Sequence, residues 1–126
     1  MKHWSEKFLQ IDYNQMNCAE FVEYVLREQF DKEFLFPQSK GSIFLETEQI
    51  KDEMPKFVVS TSTPKDGDLV LMHGKRLMCH VGLYVRIGWV EYVLHTEGTI
   101  KVSSLHRIND LRLYGYKMAG YYTWLK

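Results

Sequence analysis

Cysteine is scarce in this chain: Cys18 and Cys79 are the only two in 126 residues. Two cysteines do not make a disulfide framework, and a reducing compartment is the simpler setting for them. Long apolar runs are missing. No stretch approaches the roughly 18 residues needed to cross a bilayer, which excludes membrane insertion by a helix. The opening MKHWSEKFLQIDY has no apolar core segment and no small-residue cleavage site, so no signal peptide is expected and synthesis in the cytoplasm is. Neither sign of charge is in excess, with 16 basic residues against 16 acidic ones. Without a basic run there is no electrostatic footprint for nucleic acid. Proline numbers only three, and there is no Pro- or Ser-rich tract, linker or internal repeat. A chain of this length supports one core, so residues 1–126 are expected to form a single domain.

The residues that are present divide the chain in two. HWSEKFLQI predicts a short helix. NCAEFVEYVLREQF, Asn17 to Phe30, is the strongest helical signal, with Phe21, Val22, Val25, Leu26 and Phe30 on one stripe. FDKEFLFPQSKG is a connection broken by Pro37 and Gly41, and SIFLETEQIKDEM is a weaker helix ending before Pro55. Five short segments rich in β-branched and aromatic residues follow: DLVLM, MCHVGLYVR, VEYVLHT, TIKVSS and KMAGYYTWL. Turn signals at Lys65-Asp66-Gly67, His73-Gly74-Lys75, Ile87-Gly88 and Glu97-Gly98 separate them. Helices first and an antiparallel meander second argue for an α+β fold, N-terminal helices on a five-stranded, mostly antiparallel sheet.

Cys18 stands at the start of the strong helix. Asn17 is a good N-cap and Glu20 follows three residues later, the spacing of a capping box. Unpaired N–H groups and the positive end of the helix dipole therefore converge on Cys18. Both favour a thiolate, although the dipole alone is worth only roughly 0.3–1 kcal/mol, so full activation needs a further partner. Phe21, Val22, Val25 and Leu26 lie three, four, seven and eight residues on, so Cys18 heads the inward stripe. Free cysteine also fills space in cores, and the helix by itself does not choose between packing and chemistry.

The sheet supplies the partner. In CHVGLYVRIGWVEYVLHT, a hairpin loop at Ile87-Gly88, or a four-residue loop from Arg86 to Trp89, sets His80 directly opposite His95. Opposed Cβ atoms are about 4.5–5.5 Å apart, close enough for two imidazoles to share a hydrogen bond. Cysteine catalysis needs a nucleophile, a base within reach and a group orienting the base. Cys18, His80 and His95 fill those roles, with the Cys18 N–H contributing to an oxyanion hole. Zinc is the competing reading of Cys with His, but it favours three or four ligands in close pairs. Here Cys79 and His80 are adjacent and Cys18 is remote, so no metal is expected. Cys79 should face away from His80 and serve packing. His3, His73 and His106 have no partner pattern and read as surface residues.

Taken together, these segments resemble the NlpC-type cysteine peptidases, papain-like enzymes that cut peptidoglycan stem peptides. NCAEFVEYV is similar to the family's D-C-S-G-L-V-x-x-V helix, PKDGDLVLM to its L-x-P-G-D-L-V-F-F strand, and HVGLYV to H-V-G-I-Y-L. YVLHTEG resembles M-I-H-A-S-G, and IKVSSL the valine-serine strand after it. The resemblance implies a papain-like fold and a Cys18–His80–His95 triad working through an acyl-enzyme thioester without a cofactor. Asn17 replaces the usual Asp, Ala19-Glu20 replaces Ser-Gly, and Asp66 stands where the family has Pro. A narrower resemblance, carried by WSEKFLQIDYNQMNC and the closing GYYTW, is to short stand-alone members found as phage tail proteins. It implies tail proteins as partners, with peptidoglycan peptide as substrate, and Tyr13 as a residue lining the site. Two alternatives stay open: a structural tail component with a vestigial site, and a CHAP-type amidase.

Overall fold

The strongest helical signal becomes α1, Cys18–Phe30. Its capping box closes: the Glu20 N–H donates to the Asn17 side chain at 2.9 Å, and the Asn17 N–H donates to the Glu20 carboxylate at 3.2 Å. Phe21, Val22, Val25 and Leu26 are wholly buried, each contributing roughly 1.5–3 kcal/mol. The helix ends at Asp31, which takes the left-handed region at φ 51°. There the Lys32 N–H donates to the Leu26 carbonyl at 3.0 Å. The short helix expected near the N-terminus is a 3₁₀ turn, Trp4–Phe8, whose Phe8 ring meets Tyr24 edge-on at 5.8 Å. This computed structural model describes residues 3–12, 14–36, 45–46, 56–74, 78–96 and 101–125. None of the described helices is long and apolar enough to cross a membrane.

The strands are β1 Leu45–Glu46, β2 Val58–Thr61, β3 Leu69–His73, β4 Met78–Ile87, β5 Val90–Thr96, β6 Ser103–Arg107 and β7 Lys117–Trp124. Six lie side by side as β2-β7-β3-β4-β5-β6, and β1 pairs with β4 off that path. All the described pairings are antiparallel. The mixed helix-and-sheet class stands, and the five-strand count is corrected to six along the path. The unforeseen strand is β2. It is an edge strand in which only Val58 is buried, so it leaves no alternating pattern to read. The weak helix expected from Ser42 to Met54 is also corrected: Leu45 and Glu46 pair with Cys79 and Met78, and the rest of that segment lies outside the described residues.

The strands β3 to β6 form the expected meander, but β7 does not continue it. A 3₁₀ segment, Ile108–Tyr114, carries the chain back so that β7 lies between β2 and β3. That return covers the sheet's second face. One face buries Leu69, Leu71, Val81, Leu83, Val85 and Leu94 beneath α1 and Phe8. The other buries Val70, Met72, Tyr84 and Val93 against Leu111, with Ile108, Tyr116, Met118 and Tyr121 packed on them. Two covered faces explain why LVLM in β3 is buried without alternation, as a central strand should be.

The β4–β5 hairpin turns one residue later than expected. Ile87 pairs with Val90 and Leu83 with Leu94, so the loop is Gly88-Trp89. Gly88, at φ 64°, takes the first central position and Trp89 needs no positive φ, the pattern of a type II′ turn. Ile87 stays in the strand. The direct pairing of His80 with His95 is therefore corrected: continuing this register puts Gly82 opposite His95, with His80 diagonal to it on the same face.

Candidate active site

Cys18 is the first residue of α1 and is 6% exposed. It is a free thiol. The backbone N–H groups of Val81, Ala19 and Cys18 itself favour the thiolate. These are the donors expected of a helix start, joined by one from β4. Enclosure outweighs them, and burial pushes the thiol above the ordinary cysteine value. The expectation of a thiolate is thus corrected: the resting sulfur holds its proton, because desolvation of an anion costs more here than three N–H groups return.

His80 and His95 are brought together. His80 Nε2 and His95 Nδ1 share a hydrogen bond of 2.7 Å. Val81, the residue after His80, packs in one core cluster with Cys18. Val81 faces α1, and the next residue back alternates to the other face of β4, where the imidazole of His80 lies flat on Tyr116 at 4.4 Å between ring centroids. His95 is fully buried. Burial first, then the neighbouring His80 and His106, hold its imidazole well below the ordinary histidine value, so it stays neutral.

Gly82 makes the histidine pair possible. A Cβ at this position would run into the Val93 side chain and come within 3.0 Å of the His95 Cβ. Gly82→Ala is therefore expected to push His95 out of line with His80. The overpacking should cost about 1–3 kcal/mol, read by chemical unfolding.

His106 is a correction. It is not a lone surface residue; its Nδ1 shares a 2.9 Å hydrogen bond with His95 Nε2. Its ring lies flat on Tyr114 at 4.0 Å. Three imidazoles thus form one chain, with Tyr114 and Tyr116 clasping its two ends. Gly115 between the tyrosines takes φ 87°, a conformation open to glycine, and turns both rings toward the sheet. The missed signal was strand length. With the strand read on through Arg107, Ser104 opposes His95 and His106 is the next residue on that face.

The remaining predicted residues are less involved. His3 caps the first 3₁₀ turn, where the Ser5 N–H donates to its ring at 3.2 Å, and its Nε2 lies 3.7 Å from Asp66. His73 is half-buried in β3, with Nδ1 enclosed and unbonded, so neither is a plain surface residue. Tyr13 lies outside the described residues, and so does the side chain of Cys79. Asp66 accepts from the Trp4 indole at 3.0 Å and from the Arg86 N–H at 2.8 Å, tying the N-terminus to the hairpin. Among the described residues, no three His, Cys, Asp or Glu are grouped to hold a metal ion. Both nitrogens of His95 are taken up by His80 and His106.

Residues 5–113 match the model of the NlpC/P60 family. No curated protein and no solved structure matches the chain.

Proposed function

The chain belongs to the NlpC/P60 family, a family of cysteine peptidases, and from that membership we propose that it hydrolyses an amide bond in peptidoglycan stem peptides with Cys18, His80 and His95. The observation carrying the reading is the 2.7 Å bond between His80 and His95, on the strand whose next residue, Val81, packs in one core cluster with Cys18.

The chemistry follows from the atoms. The bond to His95 engages Nε2 of His80, so a proton leaving the thiol goes to Nδ1. Because the resting thiol is neutral, that proton moves as the sulfur closes on the substrate carbonyl, not before. The new S–C bond gives a tetrahedral oxyanion, for which N–H groups at the helix start are suitable donors. His80 returns the proton to the departing amine as the C–N bond breaks, leaving a thioester on Cys18. Water, deprotonated by His80, then releases the acid and restores the thiol. His95 remains neutral and holds the His80 ring.

We place the protein among tail-associated peptidases on the likeness of WSEKFLQIDYNQMNC and GYYTW to stand-alone tail members, with other tail proteins as partners. Cytoplasmic synthesis and incorporation into a virion are part of that reading. The burial of Cys18 favours a second reading, a tail component whose site is disused.

Incubation with purified peptidoglycan separates these. Hydrolysis within the stem should release fragments with a newly exposed peptide terminus, and amidase action should release whole stem peptides from the sugar. Wall binding without any released peptide would support the disused site.

A further inference from the structure

We propose that the groove at the tip of the β4–β5 hairpin is a saccharide-binding site: the Trp89 indole covers the apolar face of one sugar ring while Glu91, Arg107 and Asn109 bond its hydroxyl groups. The inference stands on the groove and does not rest on the proposed hydrolase chemistry. Glu91 is four residues from His95 along β5, about 13 Å at the rise of a strand, so the groove and the histidine chain are separate places on the sheet.

The groove has a volume of about 210 Å³ and is lined by Trp89, Val90, Glu91, Arg107, Ile108 and Asn109. Sites for drug-sized ligands run about 300–1,000 Å³, so this one suits a single small ring. Trp89 is 91% exposed, far from the usual state of so large a side chain. Its neighbours steady it. Arg86 Nε donates to the Gly88 carbonyl at 3.2 Å, and the Arg86 guanidinium lies 5.9 Å from the indole centroid. An aromatic ring with only two side-chain torsions gives a large contact area at low entropic cost. Beside it, Val90 and Ile108 add apolar wall to the groove.

The polar lining selects what the indole stacks on. The Glu91 carboxylate accepts from the Tyr84 hydroxyl through Oε2 at 2.6 Å, and its Oε1 is a further acceptor. Arg107 Nε lies 3.7 Å from Asp110, and the terminal N–H groups of the guanidinium are further donors. Asn109 supplies both a donor and an acceptor. Charge is balanced: Arg86 and Arg107 stand with Glu91 and Asp110. A phosphate or carboxylate would have to displace Arg107 from Asp110, and an ammonium group would have to displace a guanidinium. A neutral ligand with hydroxyl groups at its rim and a face of C–H groups does neither. A pyranose ring has that form, each hydroxyl both donating and accepting.

The test is a titration of the ¹⁵N-labelled chain with triacetylchitotriose and, separately, with cellotriose, which lacks the acetamido groups. Saturable shifts of the Trp89 indole N–H and the Asn109 side-chain amide are expected. Shifts with the first sugar alone identify an N-acetylated glycan of the cell-wall kind; shifts with both identify neutral glycans in general. Trp89→Ala should weaken binding by roughly tenfold or more with the unfolding midpoint unchanged, and Trp89→Phe should lose less. The free stem peptide should leave both signals in place. The inference is overturned if neither sugar moves them, if Trp89→Ala binds as tightly as the wild type, or if the stem peptide moves them and the sugars do not. Peptidoglycan cut by a protein that shows no sugar shifts would sink this inference alone; sugar shifts in a protein that cuts nothing would uphold it and sink the hydrolase reading.

Discussion

Replacing Cys18 with alanine should lower release of stem-peptide fragments by on the order of 10⁴-fold or more while leaving the fold in place. In the proposed reaction the sulfur forms the bond that carries the acyl group, and neither Glu20 nor His95 is placed to take over. Glu20 is exposed and occupied with the Asn17 N–H, and His95 is buried on two hydrogen bonds. Loss of a small buried side chain leaves little cavity, and the capping box does not use the thiol. Circular dichroism and the unfolding midpoint should therefore change little, which separates lost chemistry from lost protein. The burial of Cys18 adds a condition. With its thiol held above the ordinary cysteine value, iodoacetamide should modify it slowly near neutral pH, and faster only as pH rises beyond the range in which exposed cysteines react.

His80→Ala should come next in size, a fall of roughly 10²–10⁴-fold in kcat. Two losses combine. The thiol has no acceptor for its proton, and His95, still buried, has lost its partner at Nδ1. The second loss also reaches stability, because a buried polar atom left unpaired costs about 1–3 kcal/mol, and Tyr116 loses the ring stacked on it. Kinetics compared with chemical unfolding would apportion the effect. A variant hydrolysing at near wild-type kcat would remove His80 from the mechanism.

The parts of the site written in local pattern could be read in advance. Cys18 at a capped helix start follows from Asn17, Glu20 and a stripe of apolar residues, all within one stretch. The shared face of His80 and His95 survived a misplaced turn for a definite reason: moving the turn by one residue moves the pairing by two, and two steps along a strand return to the same face. Features made by distant contacts were hidden. The chain's return to set β7 beside β3 brings Tyr114 and Tyr116 over the histidines, and no spacing in YGY announces it. His106 needed the true end of β6. The direction of the Cys18 shift depends on how completely β4 and α1 enclose the sulfur. The helix start, read by itself, points the other way.

The acyl-enzyme is the most direct thing to look for. Protein mixed with peptidoglycan fragments and quenched in acid during turnover can be digested and weighed peptide by peptide. The peptide containing Cys18 should carry the mass of the acyl portion of the stem, and that adduct should be absent from Cys18→Ala. Fragments released with Cys18 unmodified at every time, and released equally by Cys18→Ala, would contradict a nucleophilic role for this thiol.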